Sequence, residues 1–179
     1  MSSKYKFRNP DGLYFITFTV VNWVNVFTRN IYKDILLDSF VHCQKQKGMV
    51  IHAYVIMTNH VHMIISKNAD NDLPGIMRDM KKFTSFKRIG AIIENDQETR
   101  KEWLLKMFET TSSKNSSSTK YQFWQEGNHP VELIDNVMIE QRLEYIHQNP
   151  VKAGFVNNAE DFIYSSAADY CGERGFIEI

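Results

Sequence analysis

The order in which strand-like and helix-like segments alternate constrains the fold of this chain more than any other feature of its sequence. The strand-like segments are rich in aromatic and β-branched residues, and the helix-like segments repeat apolar residues every three to four positions. The predicted strands cover residues 13–21, 49–57, 60–66 and 121–125, and the predicted helices cover residues 31–47, 73–89 and 134–148. The resulting order, β-α-β-β-α followed by a further strand and helix, is that of a split βαβ motif.

This order predicts an α+β fold of the ferredoxin-like type. Four antiparallel strands form one sheet, helices cover one of its faces, and the other face is open to a ligand. Thr58 and Asn59 suit a tight turn between the second and third strands. The last helix is expected to end at Asn149, because Pro150 follows and a residue before proline is driven out of the helical conformation.

Residues 90–120 interrupt the motif and are predicted to be an insertion. Within it, residues 97–109 have a helical pattern, whereas residues 110–120 are rich in Ser and Thr and are expected to form a mobile loop. The whole chain of 179 residues, with its tail at 151–179, is expected to form a single domain.

Composition excludes several classes of protein. The 2 cysteines are too few for a disulfide framework or a cysteine zinc site. No apolar run approaches the ~20 residues of a membrane span, and the first residues lack the apolar region of a signal peptide. We therefore expect a cytoplasmic protein with no membrane partner.

The charged residues are unevenly distributed although they sum to zero, with 21 Lys and Arg against 21 Asp and Glu. Residues 1–120 carry 18 basic and 11 acidic residues, and residues 121–179 carry 3 and 10, which gives net charges of +7 and −7. The zero total argues against a nucleic-acid-binding protein, whereas the basic amino-terminal part favours one. The alternative interpretation is that the acidic part packs on the basic part.

His60 and His62 lie two residues apart in the third predicted strand. Because side chains alternate along a strand, both imidazoles project from the same face as Ile64. Two imidazoles on one face can bind a divalent metal ion. A chance His-x-His is expected roughly 0.2 times in a chain with 6 histidines, so two half-exposed histidines without a metal remain the alternative.

The last predicted helix carries Tyr145 and Asn149 on one face, since they are four residues apart. A tyrosine at such a position is either a buried aromatic residue with a bonded hydroxyl or a reactive phenol. Asn149 is either an oxygen ligand or the final residue of the helix.

Basic residues are concentrated in two places. One is a stripe that falls within about a 120° arc of the second helix and consists of Arg78, Lys81, Lys82 and Arg88. It is either a contact surface for a phosphate backbone or a solvated helix face. The other is an amino-terminal arm that either reaches a DNA groove or is disordered, and it consists of Lys4, Lys6 and Arg8.

Two segments together resemble the single-tyrosine HUH transposases. His60-Val61-His62 stands within TNHVHMII, and residues 145–154 read Tyr-Ile-His-Gln-Asn-Pro-Val-Lys-Ala-Gly. The first motif is unspecific, but its combination with the second is specific. The nearest branch is that of the REP-associated tyrosine transposases in the insertion-sequence-200-like family. The resemblance runs from about residue 13 to residue 170, although the 90–120 insertion is longer than expected for this branch and relatives in the wider family carry Gln where Asn149 stands.

The resemblance implies an enzyme that cuts and rejoins single-stranded DNA. Members of the family attack a backbone phosphate with a tyrosine and leave a 5′-phosphotyrosine and a free 3′-OH, which assigns Tyr145 as the nucleophile. His60, His62 and Asn149 would bind Mg²⁺ or Mn²⁺, and no nucleotide cofactor is needed. The expected partner is single-stranded DNA whose palindromic repeats form hairpins, and a second copy of the chain is a candidate partner in a homodimer.

Two other functions are compatible with these residues. One is a non-catalytic ferredoxin-like nucleic-acid-binding module, although the chain lacks an RNP1 signature. The other is a metal-dependent phosphoesterase in which water replaces Tyr145 as the nucleophile.

Trp124 and His129 lie just before the last helix. Trp124 fits the core better than a base-stacking surface, and His129 is kept as an additional site candidate.

Overall fold

The computed structural model describes residues 6–68, 70–114 and 119–179. Within these residues four strands and five α-helices follow one another. The strands are β1 (Tyr14–Thr19), β2 (Met49–Ile56), β3 (His60–Lys67) and β4 (Val131–Glu132). The helices are α1 (Asn30–Lys47), α2 (Leu73–Glu94), α3 (Lys101–Lys114), α4 (Asn136–Lys152) and α5 (Ala167–Tyr170). None of these described helices is long and apolar enough to cross a membrane.

The four strands form one antiparallel sheet in the order β2-β3-β1-β4. This is the order of the split βαβ motif, and it confirms the ferredoxin-like fold predicted from the sequence. In the register between β1 and β3, Thr17 lies opposite His62 and Thr19 lies opposite His60. These pairs bring polar side chains of two strands together at one end of the sheet.

The two faces of the sheet bury different sets of residues. Ile16, Val61 and Met63 point into the main core, where α1 and α2 cover the sheet. Ile64 points to the opposite face and packs in a smaller cluster with Ile146 of α4. The alternation along β3 therefore follows the prediction, and α4 covers part of the face that was expected to be open.

The fourth strand is not where the sequence predicts it. Residues 121–125 contribute only an isolated bridge between Trp124 and Val20, and β4 begins instead at Val131. Phe123 and Trp124 are consecutive, yet both are buried in the core. A paired strand would send neighbouring side chains to opposite faces, so this segment packs as core and not as a regular strand.

The predicted end of the last helix was also wrong. α4 continues through Pro150, which is buried, and ends at Lys152. A proline near the end of a helix removes only one backbone hydrogen bond, and the following turn closes with Ala153 N donating to Asn149 O at 3.0 Å. Asn149 is therefore a residue within the helix.

The insertion is more helical than predicted. α2 extends to Glu94, and α3 occupies Lys101–Lys114, which includes part of the segment expected to be a loop. Phe108 of α3 packs against Phe123, with ring centroids 5.1 Å apart. Residues 115–118 of the predicted loop lie outside the described residues.

Candidate active site

The imidazoles of His60 and His62 lie side by side at the beginning of β3, with ring centroids 4.7 Å apart. His62 is buried and His60 is half-buried. Phe15 stacks on the His62 ring at 5.4 Å between centroids. The pair therefore sits on the face of the sheet that α4 partly covers.

Each imidazole is fixed through its Nδ1 atom. The Thr17 hydroxyl oxygen lies 2.7 Å from Nδ1 of His62, and His60 Nδ1 donates to Oδ1 of Asn59 at 2.7 Å. The Asn59 amide nitrogen donates to Trp23 O and to Asn25 Oδ1, both at 2.9 Å, which directs its oxygen toward His60. Since Nδ1 of each ring is engaged, Nε2 is the atom that can take a ligand.

Burial keeps both histidines neutral at neutral pH. It lowers the pKa of His60, and it lowers the pKa of His62 to about 3, with the nearby His60 and Arg142 acting in the same direction. A neutral imidazole is the form that binds a metal ion. The electrostatics of the pair therefore suit metal binding.

Tyr145 faces this pair from α4. Its hydroxyl lies 3.5 Å from Nε2 of His62, and its ring centroid is 5.1 Å from that of His62. The next residue, Ile146, is fully buried against the sheet and anchors the helix there. Tyr145 itself is 39% exposed, so its hydroxyl can reach both the solvent and a bound ligand.

The distance and the pKa together limit what His62 can do for Tyr145. A contact of 3.5 Å is at the outer limit of a hydrogen bond and does not lock the hydroxyl in place. An imidazole whose pKa is about 3 is too weak a base to take the proton of a phenol. His62 is therefore suited to be a ligand and not the general base.

Asn149 lies one helical turn beyond Tyr145, as the sequence predicted. Its Nδ2 donates to the backbone oxygen of Tyr145 at 3.1 Å, which leaves Oδ1 as its ligand atom. Among the described residues, no group of three or more His, Cys, Asp or Glu could hold a metal ion. Two imidazoles supply only part of the shell of a divalent ion, so water, a phosphate or a further oxygen would have to complete it, and Asn149 as that oxygen ligand stays a prediction.

The predicted basic stripe on α2 is only partly a surface feature. Lys82 is exposed, and Arg78 is exposed with a salt bridge to Asp79 at 3.1 Å. Lys81 has a different role: its amine donates to Gln125 O and Gly127 O at 2.8 Å and to Asn128 Oδ1 at 3.2 Å. Burial lowers the pKa of this amine to about 8. Lys81 therefore holds the segment 125–128.

Arg88 does not lie on the surface, so its inclusion in the stripe was wrong. It is completely buried, and its Nε donates to Tyr32 O at 3.1 Å. The guanidinium carbon lies 4.7, 5.2 and 5.0 Å from the ring centroids of Phe27, Phe123 and Trp124. The segment that contains Phe123 and Trp124 covers this side of α2, which the spacing of residues along the helix could not reveal.

The remaining predicted site residues belong to segments outside β3 and α4. Lys6 and Arg8 are exposed near the amino-terminal end, and Lys4 lies outside the described residues. His129 is exposed, with a backbone φ of 44°, in the segment before β4. Their roles in DNA binding or catalysis stay predictions.

Thr17 and Asn59 belong to the site but were not predicted as site residues. Thr17 alternates with the apolar residues of β1, so its direction could have been predicted, but its pairing with His62 depends on the register. Asn59 stands directly before His60 in a turn, where an asparagine ordinarily signals only the turn. Neither residue could therefore have been assigned to the site from its position in the sequence alone.

Comparisons with known proteins identify a family model and similar folds. A family model described as "Transposase IS200 like" matches residues 11–149. The fold is similar to that of a REP-associated tyrosine transposase bound to a REP hairpin, with a TM-score of 0.67 and 18% identity over 100% of this chain and 92% of that chain. A protein of Deinococcus radiodurans R1 assigned as a transposase matches with a TM-score of 0.45 and 15% identity, over 82% of this chain and 94% of that chain. No curated protein matches the chain.

Proposed function

The chain belongs to the family of IS200-like transposases, and from this premise we propose that it cuts and rejoins single-stranded, hairpin-forming DNA with Tyr145 as the nucleophile. The observation that carries the proposal is the position of the Tyr145 hydroxyl, 3.5 Å from Nε2 of a neutral His62 that is paired with His60. The similarity in fold to a transposase bound to a REP hairpin supports assignment to the REP-associated branch and a hairpin as the substrate.

In the proposed step the phenolic oxygen of Tyr145 forms a bond to the phosphorus of a DNA phosphate. The bond from phosphorus to the 3′ oxygen breaks, and that oxygen takes up a proton to become a 3′-OH. The phenol proton passes to solvent, because Tyr145 is partly exposed and His62 is too weak a base. Attack of another 3′-OH on the phosphotyrosine reverses these changes and rejoins DNA without a nucleotide cofactor.

His60, His62 and Asn149 would hold Mg²⁺ or Mn²⁺ in this reaction. The bound ion would polarise the phosphate and neutralise the charge that develops on it. The chain's own contribution is orientation: Thr17 and Asn59 fix the two imidazoles, and α4 carries both the nucleophile and the third ligand.

We further propose that the nucleophile acts on DNA bound to its own chain. α4 packs on β2 and β3 of the same chain, so one copy supplies both Tyr145 and the histidines. A homodimer is then not required to assemble the site. Exposed basic residues would bind the DNA backbone, and they are Arg78, Lys82, Lys6 and Arg8.

The experiment that tests the proposal is a denaturing gel. The protein is incubated with Mn²⁺ and labelled oligonucleotides in which a short hairpin is flanked by single strands. We expect a labelled band at the mass of the protein that disappears with EDTA and in Tyr145→Phe. Tyr170→Phe, which removes the hydroxyl of another exposed tyrosine, is the matched control and should still form the band.

Two outcomes would contradict the proposal. Cleavage that persists in Tyr145→Phe without an adduct would indicate a phosphoesterase that uses water. Binding to several hairpins with neither cleavage nor adduct would indicate a non-catalytic DNA-binding module.

A further inference from the structure

Trp23 is a large aromatic side chain that lies beside the histidine pair and is largely exposed. Its indole is 61% exposed, and its ring centroid lies 6.1 Å from that of His60. By contrast, Trp124 is only 5% exposed, as is usual for a residue of this size. An exposed indole at the edge of the candidate active site is a feature that neither the core nor the metal ligands require.

The backbone holds this indole outward in an unfavourable conformation. Asn22 and Trp23 both adopt left-handed φ angles, 55° and 56°, within the 3₁₀ turn Val21–Trp23. A residue other than glycine adopts this conformation only at a cost in free energy, and strain of this kind persists only where the surroundings hold it. The turn is thus a constrained feature of the fold.

Three side-chain contacts fasten the turn. Asn22 Nδ2 lies 3.0 Å from Met107 Sδ and 3.1 Å from Thr111 Oγ1 of α3, and Asn59 Nδ2 donates to Trp23 O at 2.9 Å. The same Asn59 accepts the hydrogen bond from His60. The position of the indole is therefore coupled to the ring of a proposed metal ligand through one amide side chain.

A groove continues from this turn along α3. It has a volume of about 930 Å³, and its lining includes Asn22, the half-exposed Trp103 and two basic and two acidic residues, which are Lys106, Lys114, Glu102 and Glu126. Because these charges balance, the exposed indole of Trp23, and not the charge of the groove, is the feature of this surface that suits single-stranded DNA.

We propose that the indole of Trp23 stacks on an unpaired base of the DNA strand, next to the phosphate that Tyr145 attacks. The inference rests on the proposed function, which places a single-stranded phosphate at the histidine pair. Aromatic stacking suits this role because every base offers a π-face, so the platform positions the strand whatever its sequence. The rigid turn sets the distance between the stacked base and the metal ligands.

Binding is measured in the Tyr145→Phe background with EDTA, so that neither cleavage nor metal affects the result. The probe is a labelled hairpin with mixed-sequence single-stranded flanks of about 12 nucleotides. We expect Trp23→Ala to weaken binding about 10-fold and Trp23→Phe to retain most of it. Phe176→Ala, which removes an exposed aromatic ring from the carboxy-terminal segment, should bind like the parent protein.

An abasic scan of the probe identifies the stacked base. At one flank position, removing the base should weaken binding by the parent protein but not by Trp23→Ala, because the two changes remove the same contact. The proposal is overturned if Trp23→Ala binds as tightly as the parent protein. It is also overturned if removing the base at each position weakens binding equally in both proteins.

A purely structural role of Trp23 gives a different result. If the indole only orients His60, Trp23→Ala lowers the affinity for Mn²⁺ and leaves DNA binding in EDTA unchanged, which also overturns the proposal. Should Trp23→Ala fail to fold, indole fluorescence is measured in Trp103→Phe, where Trp23 is the remaining exposed tryptophan. DNA binding should quench it, and the absence of quenching would contradict stacking.

These results are independent of the adduct assay. If the adduct forms but Trp23→Ala has no effect, only the stacking inference fails. If stacking is observed but no adduct forms on any hairpin, the proposed catalytic function fails while the DNA contact stands.

Discussion

The Thr17 hydroxyl on β1 lies 2.7 Å from Nδ1 of His62 on β3, and the two residues are direct partners in the register of the sheet. A neighbouring strand therefore sets the orientation of the imidazole that faces the proposed nucleophile. Partners of this kind ordinarily fix the tautomer and the direction of a metal-binding histidine. The contact makes the sheet register itself a determinant of the site.

Thr17→Val should lower the affinity for Mn²⁺ about 10- to 100-fold, because the ring of His62 loses the group that orients it. The measurement is isothermal titration calorimetry with Mn²⁺. Thr19→Val is the matched control, since Thr19 is buried on the same strand opposite His60. Equal Mn²⁺ affinity in Thr17→Val and the wild-type protein would show that the contact does not support the ligand.

The stability of the metal-free protein should decrease in acid. An unfolded histidine binds a proton below about pH 6.5, whereas folded His62 does so only near pH 3. The free energy of unfolding is therefore highest above the unfolded pKa and is lost as the pH falls toward the folded one. His62 alone should account for a loss of about 2 kcal/mol between about pH 7.5 and about pH 5.

Urea unfolding in EDTA at the two pH values tests this prediction. Between the two pH values, the free energy of unfolding of His62→Gln should decrease by about 2 kcal/mol less than that of the wild type. Part of the pH dependence should remain, because burial also lowers the pKa values of His52, His60 and His147. His42→Gln removes an exposed histidine of α1 and is the control. If His62→Gln kept the full wild-type slope, His62 would not be the titrating group.

Lys82 and Lys81 are neighbours that should affect DNA binding differently. Lys82 is exposed, so Lys82→Met should weaken binding and reduce the dependence of log Kd on log salt by about one unit of slope. Lys81 is engaged by the segment 125–128, so Lys81→Met should leave the slope unchanged. Fluorescence anisotropy with a labelled hairpin over a salt series measures both, and identical slopes in the two variants would refute the distinction.

Arg88 should contribute to stability and not to DNA binding. Arg88→Ala removes a buried side chain from the cage of Phe27, Phe123 and Trp124 and should lower the free energy of unfolding by about 3 kcal/mol. Arg88→Met fills the same space without burying a charge and should recover most of that loss. Both are measured by urea unfolding.

The DNA affinity of Arg88→Met provides the second readout. It should equal that of the wild-type protein, because the guanidinium is completely buried. If Arg88→Met lost as much DNA affinity as Lys82→Met, Arg88 would contribute to DNA binding and the prediction would be wrong.

The features that the sequence determined are those set by local spacing. The two-residue period of β3 placed His60 and His62 on one face, and the four-residue interval placed Tyr145 and Asn149 one turn apart. These relationships hold because the geometry of a strand or a helix repeats within a few residues. The order of the elements then restricted the sheet to the arrangement that the structure has.

Only the tertiary structure decided the relationships between distant segments. The pairing of Thr17 with His62 depends on the strand register, and the burial of Arg88 depends on the segment around Phe123 and Trp124 that covers α2. The continuation of α4 past Pro150 likewise depends on the packing of that helix. Each results from contacts between residues far apart in the chain, whose free energy no local pattern contains.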